Sequence, residues 1–180
     1  MDCYTDPPVV VPEFPPVVVP EYLAEPLDCY VDPPGVLVDA LVDMFRGKRV
    51  VEVCAGKGAW AAALGAAGLH VECSDCNHQP WSYVPIGRMV SSDHARSAGE
   101  GSVLLIIFPN NVDTSSSSAL RAFGGSWVVF IGDPDFCGDP EFHANLASEW
   151  FALSVMELGQ NAMTSRTQVM ICHRRAPTSS

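Results

Sequence analysis

Val50-Val51-Glu52-Val53-Cys54-Ala55-Gly56-Lys57-Gly58-Ala59-Trp60 is the stretch that decides the fold. Its first half is a short apolar run with β-branched residues, as a buried strand requires. Its second half supplies small residues where a chain must turn sharply and let a ligand approach the backbone. The residues after Gly58 resume an apolar pattern to about residue 67, stopped by Gly68, and read as a helix whose first N–H groups have no partner within it. A second strand, about 69–74, ends against Asp75, 17 residues after Gly58. An acid at the end of a second parallel strand can accept both hydroxyls of a ribose. Taken singly, Gly56 and Gly58 could form a tight turn and Asp75 could cap the next segment. In one β-α-β context they point to nucleoside binding.

Working outward, Val36, Leu37, Ala40, Leu41, Met44 and Phe45 recur at helical spacing, and Gly47 ends that helix. Residues 75–88 are polar and rich in Pro and Gly, with room for a short helix. A short third strand is expected at Met89-Val90-Ser91. Residues 102–108 are almost wholly apolar, as in a strand covered on both faces. A helix over 116–123, a strand over 126–131 and a helix over 139–150 follow. Two last strands, 152–158 and 167–173, are joined by a polar Gly-Gln-Asn loop as a β-hairpin. The expected fold class is α/β: a Rossmann-like doubly wound sheet, mostly parallel, with a C-terminal antiparallel hairpin.

Three parts are expected: a Pro-rich arm (1–34), the binding domain (35–175) and a tail (176–180). Within the arm Pro7-Pro8-Val9-Val10-Val11-Pro12-Glu13 recurs as Pro15-Pro16-Val17-Val18-Val19-Pro20-Glu21. Prolines fix φ and remove donors, so extended polyproline-like chain is its natural state. It reads either as a disordered or surface-clinging tail, or as a docking segment for a protein partner or a strap folded back over the active site. Tyr4, Tyr22 or Tyr30 could then reach over the cleft.

The net charge of −11 is uneven: residues 1–45 hold nine acids and no Lys or Arg. The remainder is nearly neutral, which argues against tight nucleic-acid binding. No apolar run is long enough to span a bilayer, and the N-terminus has no signal-peptide pattern. Seven cysteines, several inside strands, suit a reducing, cytoplasmic setting without a disulfide framework. Cys73 and Cys76 form a single C-x-x-C with no second pair, so no metal is expected. No nucleophile elbow is present.

Glu52-Val53-Cys54-Ala55-Gly56-Lys57-Gly58 resembles motif I of the class I S-adenosylmethionine-dependent methyltransferases, Asp/Glu-x-Gly-x-Gly-x-Gly, with Cys54 in place of the first glycine. The resemblance implies S-adenosyl-L-methionine as cofactor. It assigns Glu52, Cys54, Ala55, Gly56 and Gly58 to its methionine end, Asp75 to the ribose, and Cys76 with Asn77 to the adenine edge. Asp93 would accept from the adenine amino group and His94 would offer a backbone donor; the other reading of Asp93 is a helix N-cap. Phe108-Pro109-Asn110-Asn111 stands where the family carries motif IV, with one proline only. Asn110 is the candidate catalytic residue, orienting a nucleophile, while a plain turn fits equally. Ile131-Gly132-Asp133 and Phe136-Cys137-Gly138-Asp139 are similar to a branch of small methyltransferase-like proteins. The implied activity is methyl transfer to an acceptor the sequence does not name, a small molecule or protein rather than nucleic acid. Two rivals stand beside it. Gly56-Lys57-Gly58-Ala59-Trp60-Ala61 also fits a dinucleotide-binding pattern, which would make an NAD-binding protein. A non-catalytic interaction module is the other.

Overall fold

The computed structural model describes residues 32–77, 81–159 and 166–176. Expectations for residues 1–31 and 177–180, and for most of the hairpin loop, lie outside them. In chain order the elements are α1 (Gly35–Phe45), β1 (Arg49–Val53), α2 (Ala59–Ala66), β2 (His70–Asp75), β3 (Gly87–Arg88) and α3 (Ser91–Ser97). There follow β4 (Val103–Ile107), α4 (Ser115–Ala122), β5 (Trp127–Gly132), α5 (Pro140–Glu149), β6 (Trp150–Gly159) and β7 (Thr167–Arg174).

The strands form one seven-stranded sheet in the order β3-β2-β1-β4-β5-β7-β6. Neighbours from β3 through β5 are parallel, and β7 runs antiparallel between β5 and β6. The sheet divides two apolar layers. Val50, Val103, Leu105, Ile107, Val129 and Ile131 turn one way, toward α1 and α2. Val51, Val53, Leu104, Ile106, Val128 and Phe130 turn the other way, toward α3, α4 and α5. This is why the strands read as unbroken apolar runs: both pleats are buried.

Local chemistry sets the boundaries. Gly47 takes φ 77° and closes α1. Asp139 caps α5 by accepting from the Phe142 N–H, with Pro140 in the first turn. The same carboxylate accepts from the Ser116 hydroxyl at 2.7 Å and the Ser117 N–H at 3.0 Å, so one buried acid ties α4 to α5.

Three expectations need correction. The third strand lies at Gly87–Arg88, two residues ahead of Met89-Val90-Ser91, and Val90 instead leads into α3. A Cβ on Gly87 would lie 3.4 Å from the Cys73 carbonyl oxygen, so the glycine suits the close pairing that Met89 was expected to make. Helix α3 begins ahead of Asp93, whose N-cap reading was the one pointer to a helix here, since of its seven residues only Ala95 is a buried apolar one. Strand β6 also starts two residues early, at Trp150, directly on the end of α5.

Candidate functional site

The strand order reverses between β1 and β4, which opens a crevice at the carboxyl ends of the parallel strands. Residues 54–58 follow β1 into that crevice, and Phe108-Pro109-Asn110 follow β4. Cys54, Gly56 and Gly58 all have positive φ, at 57°, 54° and 74°. The turn therefore demands left-handed backbone at each position of the glycine pattern, and Cys54 takes it at a steric cost a glycine would avoid. Its Sγ lies 3.3 Å from the Ser91 hydroxyl at the start of α3. Burial pushes the Cys54 thiol up to about 11, so it stays protonated and unreactive near neutral pH.

The loop is held from β2. The Ala55 N–H donates to the Ser74 carbonyl at 3.0 Å, and the Gly56 N–H to Asp75 Oδ2 at 2.9 Å. Asp75 Oδ1 accepts from the Asn77 N–H at 2.7 Å. The Asp75 carboxylate is 7% exposed and each oxygen retains a second lone pair, the acceptor capacity that ribose hydroxyls need.

Glu52 is the unusual group. It is 2% exposed and turns to the α1/α2 side, beneath the start of α2, where the Ala61 N–H donates to it. Its Oε2 has no hydrogen-bond partner. Burial raises its carboxyl to about 8, with Asp75 adding to the rise and the Ala61 N–H opposing it. Beside it is a hollow of about 20 Å³ lined by Glu52, Cys54, Ala55, Lys57, Ala59, Trp60 and Ile107. That is room for one group the size of water or ammonium. A buried orphan acceptor facing such a hollow fits a cationic amine, so these residues suit the amino-acid end of the implied cofactor.

The other expected residues fall on both sides of that cleft. Cys76 is exposed just beyond β2. Phe108 holds φ 43°, and its N–H donates to the Ile131 carbonyl; Pro109 is buried and its carbonyl accepts from the Gly138 N–H. Asn110 is exposed, and its Oδ1 accepts from the Val112 N–H in a local turn. Asp93 is not an N-cap: Val90 holds that position, and the Asp93 carboxylate pairs with Arg96 at 2.8 Å on the outer flank of α3. His94 does not offer a free backbone donor, because its N–H closes the first turn of α3 onto the Val90 carbonyl. Its ring is buried against β2, with Nδ1 2.7 Å from the Ser74 hydroxyl. Burial holds the imidazole below its ordinary value and hence neutral near pH 7.

Three residues at the loop went unread. Ser91 touches Cys54. Trp81 lies under the Lys57 ammonium, 3.9 Å from it, and the Tyr83 N–H donates to the Lys57 carbonyl. An aromatic pair inside a polar Pro- and Gly-rich loop was the available signal.

No family model matches the chain, and no curated protein sequence does either. Solved structures do match. Magnesium protoporphyrin IX methyltransferase from Synechocystis with bound SAM aligns at a TM-score of 0.56 and 12% identity, over 78% of this chain and 79% of its own. A Burkholderia thailandensis 1,6-didemethyltoxoflavin N1-methyltransferase, with S-adenosylhomocysteine bound, aligns at 0.55 and 15%, over 83% and 82%. A putative RNA methyltransferase from Pyrococcus horikoshii aligns at 0.53 and 12%, over 87% and 92%. The chain has the class I methyltransferase fold.

Proposed function

We propose that residues 35–175 bind S-adenosyl-L-methionine across the β1/β4 crevice and use it to methylate a small molecule or a protein side chain. The observation that carries this is the unpartnered Glu52 oxygen beside an ammonium-sized hollow. The fold carries the same cofactor, or its demethylated product, in the Synechocystis and Burkholderia proteins. When bound, the cofactor supplies a methyl group on a sulfonium that needs little activation. The chain's residues supply position. Glu52 would hold the amino end, the 54–58 loop would pass beneath the methionine part, and Asp75 would hold the ribose. Cys76 would border the adenine. Phe108 and Pro109, after β4, would complete the cofactor-binding set, with Asn110 orienting the acceptor's nucleophile. The five described cysteines are free, which fits a reducing cytoplasmic setting.

Calorimetric titration with S-adenosylmethionine, S-adenosylhomocysteine and NAD tests the reading, repeated on Asp75→Ala. Micromolar binding of the first two, lost in the variant, is expected. Binding of NAD alone would replace the reading with a dinucleotide-binding one. Absence of all three would leave an interaction module.

A further inference from the structure

An α-amino-acid end carries a positive amine and a negative carboxylate on one carbon. Whatever answers the two charges must therefore border one small space. Glu52 is suited to the amine, and the carboxylate needs a cation beside it. Of the residues around the Glu52 hollow, Lys57 is the one Lys or Arg. The field there is otherwise negative. Besides burial, the charges of Asp75 and Asp113 push the Cys54 thiol up, and Asp75 adds to the rise at Glu52. Without Lys57, a carboxylate entering the hollow would meet that field unopposed.

Lys57 is fixed at its root and free at its head. Its carbonyl accepts from the Tyr83 N–H at 2.9 Å. A Cβ on the next residue, Gly58, would stand 2.8 Å from Val84 Cγ2, so residues 83–84 lie against the backbone of the turn. The Lys57 ammonium joins no ion pair among the described residues and lies 3.9 Å from the centre of the Trp81 ring. Trp81 is 51% exposed. A cation on a half-exposed ring is held less strongly than one in a charge-assisted hydrogen bond to a carboxylate. The ring is a resting place that the ammonium leaves for a better partner.

We propose that Lys57 binds the carboxylate of a nucleoside bearing an α-amino acid, its ammonium leaving the Trp81 ring as the ligand's amine meets Glu52. The assignment rests on the cofactor reading above and narrows it: Glu52 and Lys57 together select a zwitterion, not a nucleoside alone. A nucleoside without the amino acid satisfies neither residue. A pyrophosphate satisfies Lys57 but sets its own charge against Glu52 and Asp75. Trp81 reports the movement. Trp60, Trp127 and Trp150 are buried, so the fluorescence difference between the wild type and Trp81→Phe isolates the exposed ring.

Calorimetry on the full-length chain tests this with three probes. S-adenosylhomocysteine carries the whole amino-acid end, its decarboxylated analogue keeps only the amine, and 5′-methylthioadenosine has neither group. Lys57→Met should weaken the first by about tenfold or more and the other two by less than about twofold. Lys57→Arg should keep most of the affinity, since a guanidinium also pairs with a carboxylate. S-adenosylhomocysteine should change the Trp81 fluorescence, and the decarboxylated analogue should not. Equal loss on all three probes overturns the assignment, because Lys57 would then only shape the turn. Unchanged binding of S-adenosylhomocysteine by Lys57→Met overturns it too. So does wild-type affinity for 5′-methylthioadenosine equal to that for S-adenosylhomocysteine, an outcome that leaves nucleoside binding standing. If the wild type binds none of the three, the cofactor reading itself fails and the assignment falls with it.

Discussion

Glu52→Gln should remove a pH dependence of folding that the wild type carries through the neutral range. The folded carboxyl is raised to about 8 by burial, from an ordinary value of 4.5. Below pH 4.5 both folded and unfolded chains hold the proton and Glu52 costs nothing. Between 4.5 and 8 the folded chain keeps a proton that the unfolded chain has released, so raising the pH favours unfolding. The stability lost is about 3 kcal/mol by pH 7 and about 5 kcal/mol above pH 8, at about 1.36 kcal/mol for each pH unit crossed between the unfolded and folded values. His94 acts in the opposite sense: its lowered value makes the folded state gain as pH rises through the ordinary histidine range. The difference between variant and wild type therefore isolates Glu52. Urea unfolding at pH 5, 6, 7 and 8 measures it, the range stopping short of the cysteines raised to about 11. The variant should gain on the wild type steadily over those points. A constant difference would refute the reasoning, because Glu52 would then ionise as freely in the folded chain as in the unfolded one. The same proton governs ligand binding: if an ammonium group requires ionised Glu52, affinity should rise by up to about tenfold per pH unit between 6 and 7.

Gly58→Ala should cost about 2–4 kcal/mol, since the left-handed backbone strains any side chain and the new Cβ would stand 2.8 Å from Val84 Cγ2; thermal unfolding reads the loss. Asp139→Ala should lose about 2 kcal/mol or more, through the α5 cap and the two serine contacts. Because hydrogen bonds hold that carboxyl below its ordinary value against the opposing effect of burial, its stabilisation is present above the ordinary carboxylate range and is lost as pH falls through the folded value; Asp139→Asn should flatten the acid limb of the stability curve. Phe142→Ala should cost about 3–5 kcal/mol in urea unfolding, as a fully buried ring against Phe130. Cys54→Gly should relieve left-handed strain while losing the contact with Ser91, leaving the urea midpoint within about 1 kcal/mol of wild type.

The parallel strands were legible because both their pleats are buried: Val103 to Ile107 and Trp127 to Ile131 leave no polar alternation to mistake. Gly56, Gly58 and Asp75 were legible because chain turns and strand ends fix which residue types fit there, whereas Glu52, inside β1, was picked out only by the motif I resemblance. Helix α3 was hidden by its composition, Ser-Ser-Asp-His-Ala-Arg-Ser, since a short helix clamped by Ser74 and His94 needs little apolar periodicity. The placement of β3 was missed because Met89 and Val90 have strand-like side chains yet are exposed, while Gly87 pairs for want of a side chain. The orphaned state of Glu52 could not be read at all: it arises where the start of α2 closes over β1, a tertiary event.

Strand β7, the latest of the described strands to be synthesised, is the one that covers β5. Strand β5, buried throughout, receives its second neighbour only when β7, at Thr167–Arg174, has been made. Until then Trp127–Gly132 presents an open, apolar edge, the kind of template on which nascent chains pair with one another. A chain halted after β6 would hold every residue named in the cleft and still be prone to aggregate. In translation, then, the hairpin is the step that makes the domain safe to release, and slow synthesis through residues 150–174 would lengthen the interval in which a chaperone is needed.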